Sequence, residues 1–165
     1  MIRRVAGSNP LENVYGYSRA VVAGDWALSA GTTATVNGQV VHPGDPYRQA
    51  HAAFKIALDA LREAGFDRAF VVRTRMYVID MGHQSEIGRA HKDLFGEIRP
   101  VATMVEVAAL ADPDHLIEVD VDAYRPASSP VVVQTPGGTT PPRPPESVLT
   151  PGGTTPPRPP ESQAG

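Results

Sequence analysis

Along the first 126 residues, apolar and polar positions follow in turn the period of strands, a helix, one strand, a second helix and strands again. Tyr17 to Ala23 and Trp26 to Ala30 read as two short strands, and Gly24-Asp25 between them suits a tight hairpin turn. Asn37-Gly38, flanked by Thr35-Val36 and Gln39-Val40-Val41, is a second hairpin signal. Asp45-Pro46 has the form of an N-cap followed by proline at the first helical position, and Gly65 sits where a C-terminal glycine belongs. Between them Ala50, Ala53, Phe54, Ala57, Leu58 and Leu61 make one apolar stripe. Phe70 to Asp80 reads as a strand with Val72, Thr74, Met76 and Val78 on one face and Arg73, Arg75, Tyr77 and Ile79 on the other. A second helix is expected over His83 to Phe95, with Ile87, Ala90, His91, Leu94 and Phe95 as its stripe and Gly96 as its stop. Two strands follow, Val101 to Leu110 and Leu116 to Tyr124, linked by the turn Ala111 to Asp114.

This order predicts an α+β domain: a mostly antiparallel sheet with both helices on one face, because each helix has a single apolar stripe to bury. Val101, Thr103, Val105 and Val107 are expected to face the helices with Ile117, Val119 and Val121. Ala102, Met104 and Glu106 then point away, as do Glu118, Asp120 and Asp122, and Arg73, Arg75 and Tyr77 share that outer face. Such a face is either a solvated, salt-bridged surface or a subunit interface with polar clefts.

After residue 126 the patterning stops. Residues 127–165 hold eleven of the seventeen prolines and five of the fifteen glycines, and TPGGTTPPRPPES occurs twice, at 135–147 and 150–162. Proline at that density excludes helix and sheet ladders, so the chain divides into a domain at 1–126 and a disordered or extended tail at 127–165. The repeat reads as a linker or as a docking peptide for a protein partner, whose weak sites an oligomer would multiply. With no cysteine, disulfides, thiolate metal sites and cysteine nucleophiles are excluded, and a reducing cytoplasm fits. No run is long and apolar enough for a signal peptide or a membrane span, so no membrane association is expected. The net charge of −3 belongs wholly to the domain, since Arg143 and Arg158 balance Glu146 and Glu161, and this argues against nucleic acid as a partner. His42, His51, His83, His91 and His115 show no ligand spacing, so no metal is expected.

Arg99-Pro100-Val101-Ala102-Thr103-Met104-Val105-Glu106-Val107, then Leu110, Pro113 and Leu116-Ile117-Glu118-Val119, resembles the signature of the reactive-intermediate deaminase family, called Rid or YjgF. Tyr17, Ala30-Gly31, Gly65, Arg73 to Asp80 and Phe95 also fall where that family places similar residues, so the resemblance covers about residues 10 to 125. It implies a chorismate-mutase-like fold, a homotrimer with small-molecule clefts between subunits, and, in one branch, cofactor-free hydrolysis of enamines and imines to 2-oxo acids and ammonia.

Carried over, the resemblance makes Tyr17 the cleft tyrosine, Gly31 the backbone contact and Glu118 the water-handling glutamate. Ala30 stands where serine is usual, Met104 where cysteine is frequent, and Ala102, before Thr103, where the deaminating branch has the arginine that holds a substrate carboxylate. Such a contact is worth about 1.5–3 kcal/mol, so its loss disfavours a small 2-imino acid. Arg73 and Arg75 are better placed than Arg99 to substitute, unless they pair with Glu118, Asp120 or Asp122. Glu118 itself reads either as a general acid or base or as a salt-bridge partner.

Overall fold

The computed structural model describes residues 1–126; the proline-rich tail and its repeat lie outside the described residues. β1 (Ile2–Val5) and a short helix α1 (Leu11–Tyr15) precede the hairpin of β2 (Ala20–Ala23) and β3 (Trp26–Ser29). That hairpin closes on Gly24-Asp25 as its sequence requires, with Ala23 opposite Trp26 and Gly24 at φ +61°. β4 (Thr32–Thr33) continues from β3 after a break, and β5 (Thr35–Val36) with β6 (Gln39–Val40) forms the second hairpin. Its turn residues Asn37 and Gly38 both have positive φ, as a type I′ turn demands.

The Asp45 side chain accepts a hydrogen bond from the Arg48 N–H and opens α2 (Pro46–Glu63), which ends before Gly65 at φ +86°. α2 buries Ala50, Ala53, Phe54, Ala57 and Leu61, as its stripe foretold, together with Gln49. Gln49 is satisfied there: its amide donates to the His42 and Asp114 carbonyls, and its oxygen accepts from the Leu116 N–H. β7 (Val71–Val78), α3 (Gln84–Phe95), β8 (Val101–Glu106) and β9 (Ile117–Tyr124) complete the domain.

The strand order is β1-β2-β3-β9-β7-β8, with β4 also on β9. Every pair in this sheet is antiparallel except β7–β8, whose parallel pairing needs the crossover through α3. The turn after β8 therefore closes no hairpin, because β7 lies between β8 and β9. α2 and α3 pack together on the face of Val78, Ile117, Val119 and Val121, and Phe54 stands edge-on to Phe95 at 5.1 Å between ring centroids.

Three expectations are corrected. The facing of β8 is reversed: Met104 pairs in register with buried Met76 and packs on the core, while Val101, Thr103 and Val105 line up with Arg73, Arg75 and Tyr77 on the outer face. Register with β7, not the count of valines, sets the facing of an edge strand. Val71 rather than Val72 is buried, because a bulge between Val71 and Arg73 shifts the alternation. Gly96 caps α3 as expected but in right-handed geometry, so the left-handed turn that a terminal glycine usually supplies falls at Arg99, φ +53°.

Candidate functional site

β3 and β4 both pair with β9, but their registers differ by one residue: Leu28 faces Asp122, whereas Thr32 faces Val119. The extra residue falls in Ser29-Ala30-Gly31, and the strand bends there. Local polar groups take up the interrupted ladder. Ser29 Oγ accepts from the Val121 N–H at 2.9 Å, and Thr32 Oγ1 donates to the Ala30 carbonyl at 2.9 Å. Gly31 lets the Glu118 carboxylate close on the bend, since a Cβ there would overlap that carboxylate and stand 3.0 Å from its Cδ.

Glu118 thus lies against Gly31 on the outer face. It is flanked by its register partners, Tyr77 on β7 and Thr33 on β4. The same face carries a tight ionic group one step along: Arg75 bonds Asp120 and, at 2.9 Å, Asp122, and the Tyr77 hydroxyl donates to Asp120 at 3.0 Å. Burial first, then the Asp120 hydrogen bond, pushes the Tyr77 phenol above its ordinary pKa, and Asp120 and Asp122 hold the Arg75 guanidinium charged. Glu118 stands apart from this group. Although half-buried, it has no hydrogen-bond or ion-pair partner among the described residues.

On the other side of Gly31 lies an arginine that sequence reasoning passed over. Arg19 Nη1 donates to the Gly31 carbonyl at 3.3 Å and to Thr32 Oγ1 at 3.0 Å. Its Nε is 3.6 Å from Oε1 of buried Glu12, and its guanidinium carbon lies 5.9 Å from the Tyr17 ring. Glu12 is anchored in turn by the Gly7 N–H at 2.7 Å. The signal in the sequence was Tyr17-Ser18-Arg19, read as the start of a strand whose alternation would put both side chains on one side; β2 itself begins at Ala20.

The expected site residues therefore fall into two groups. Tyr17, Ala30, Gly31 and Glu118 gather around the bend between β3 and β4. Ala102, Thr103 and Met104 lie on edge strand β8, separated from β9 by β7, and Ala102 and Met104 share the helix-side face rather than that of Glu118. Arg75 is committed to the two aspartates, Arg73 is exposed, and Arg99 hydrogen-bonds back to the Gly96 carbonyl at 3.4 Å. No cluster of potential metal ligands occurs among the described residues, and none of their helices is long and apolar enough to cross a membrane.

Residues 7–125 match the family model described as endoribonuclease L-PSP. An uncharacterized Streptomyces coelicolor protein, SCO2049, is 41% identical over 126 residues, covering 76% of this chain and 94% of that one. A RutC family protein of Pyrococcus horikoshii, PH0854, is 30% identical over 111 residues, 66% of this chain and 86% of its own. The crystal structure of Mycobacterium tuberculosis Rv2704, a member of the YjgF/YER057c/UK114 family, superposes with a TM-score of 0.69 at 40% identity, covering 76% of this chain and all of that one. With the fold, the family model and these relatives in agreement, the chain belongs to the YjgF/Rid family, the one whose signature its strands β8 and β9 carry.

Proposed function

We propose that the chain is a hydrolase of the imine or enamine deaminase type, acting without a cofactor on a small metabolite, with Glu118 as its water-handling carboxylate. The observation that carries this reading is the isolation of Glu118: Asp120 and Asp122 absorb Arg75, so the glutamate on the same face packs against Gly31 with its carboxylate left free to accept a proton. A carboxylate so placed takes a proton from water as the water oxygen bonds to the C=N carbon. It returns that proton to the nitrogen to give the HO–C–NH adduct, then moves the hydroxyl proton to the nitrogen as the C–N bond breaks, so that C=N and water become C=O and an amine or ammonia.

The clefts are proposed to lie between subunits of a homotrimer. The outer face supports this, since Trp26, Leu28, Val101, Val105 and Tyr124 are all exposed large side chains on it. Trimer packing would also bring the β8 group of one subunit to the Glu118 group of another, which one chain alone keeps apart. Arg19, bonded to the Gly31 carbonyl and Thr32 and paired with Glu12, would brace the Gly31 side of that cleft. Solution mass checks the assembly: three chains are expected for the wild type and a smaller species for Val105→Asp.

Ammonia release from enzymatically generated 2-aminoacrylate, compared between wild type and Glu118→Ala, tests the chemistry. Because Ala102 leaves the substrate carboxylate without the branch's arginine, release only weakly above the uncatalysed rate is expected in the wild type and none above it in Glu118→Ala. Rates equal to the uncatalysed one in both would retire the deaminase reading. The neutral Ala102 favours a second reading, a non-catalytic ligand-binding trimer or scaffold, and that outcome would select it. The carboxylates of the outer face oppose binding of a phosphate backbone, so RNA is not proposed as the substrate.

A further inference from the structure

A line of hydrogen bonds runs from beside Glu118 into the protein. Thr33 Oγ1 is 3.0 Å from Thr35 Oγ1, which is 2.8 Å from Nε2 of His115. His115 is 6% exposed, and its Nδ1 is buried with no partner among the described residues. Thr33 is the direct antiparallel partner of Glu118, so both side chains rise from the same face with Cβ atoms about 5 Å apart.

The orphaned nitrogen decides the direction of the line. A hydrogen on Nδ1 would be a buried N–H without an acceptor, which native structures rarely tolerate. The hydrogen therefore resides on Nε2, which donates to Thr35; Thr35 spends its hydroxyl hydrogen on Thr33, and Thr33 is left with a hydrogen to donate outward. The opposite tautomer would reverse every bond, so that Thr33 donates its only hydrogen to Thr35 and offers nothing but lone pairs outward.

We propose that Thr33 is a ligand-contacting donor of the Glu118 site, held in that role by His115 through Thr35, and that the pair selects an uncharged amide-type group. Glu118 offers an acceptor and Thr33 a donor on adjoining strands. A carboxamide or ureido group presents the complement, an N–H for the carboxylate and a carbonyl oxygen for the hydroxyl. A carboxylate of the same shape offers no N–H and meets the charge of Glu118. This rests on the reading of Glu118 as a ligand-facing group. His115 and Thr35 are positioning residues.

The test uses the full chain, labelled with ¹⁵N, and the isosteric probes acetamide and acetate. Wild-type His115 is expected as the Nε2–H tautomer by its ring ¹⁵N shifts, with that preference weakened in Thr35→Val; an Nδ1–H tautomer in the wild type overturns the relay. Acetamide is expected to shift the amide signals of Gly31, Thr33 and Glu118 more strongly than acetate. About tenfold weaker acetamide binding is expected in Thr33→Val and a smaller loss in Thr35→Val. Acetamide binding that Thr33→Val leaves unchanged overturns the inference while sparing Glu118. Silence of both probes at Gly31 and Glu118 in the wild type removes the ligand-facing reading of Glu118 and the inference with it.

Discussion

On its helix-covered face the sheet presents Val78, Ile117, Val119 and Val121, all fully buried, whereas the alternate positions of the same strands present Tyr77, Glu118, Asp120 and Asp122 to the other side. The covered face satisfies one demand, the removal of apolar surface from water. The outer face must settle its charges within its own plane, because no layer of the described residues lies over it. Arg75 does so for two aspartates, and what remains unsettled there, Glu118 and the end of the threonine line, is where chemistry has room.

Breaking the covered face should cost most. Phe54, with no exposed surface and packed against His91 and Phe95, is expected to lose about 3–5 kcal/mol of stability on Phe54→Ala, read as a lowered denaturation midpoint. On the outer face Arg75→Met leaves two half-buried aspartates facing each other. The expected loss is about 1–3 kcal/mol, moderated because a third of the arginine side chain is in water. Gly31→Ala should cost less, about 1 kcal/mol, since the group displaced is the end of a flexible side chain. Its damage should appear instead as lost acetamide shifts at Glu118, separating a site defect from a folding defect.

The smallest effect returns to the covered face and depends on pH. Burial lowers the pKa of His91, whose Nε2 meets Thr74 Oγ1 at 2.9 Å. The folded state therefore binds this proton less readily than the unfolded state. Stability is full above the unfolded value of about 6.5 and declines as pH falls below it toward the lower folded value. Thermal melts between pH 8 and 5 should show this decline in the wild type and a shallower one in His91→Gln.

How far the sequence could be read differs between the two faces. The stripe of α2, the Asn37-Gly38 hairpin and the inward residues of β9 were legible because each depends on local periodicity or turn geometry. The facing of β8 was not, since an edge strand takes its orientation from its neighbour and all its valines look equally suited to a core. The bend at Ala30-Gly31 was marked only by family resemblance, and Arg19 only by its spacing from Tyr17. Thr33, Thr35 and His115 come together across eighty residues of chain, which no periodicity reports.

The position of β8 also bears on how this chain can change over generations. Among the described residues, Ala102 is exposed on a strand paired along one side only, while Glu118 sits on β9, which is paired along both. If the proposed trimer holds, replacements at 102 would alter the character of its cleft with little effect on whether the chain folds, so selection on the ligand could act there almost unopposed. The carboxylate and the glycine beside it are tied to the sheet's centre. Diversification is expected at the rim and inheritance at the middle.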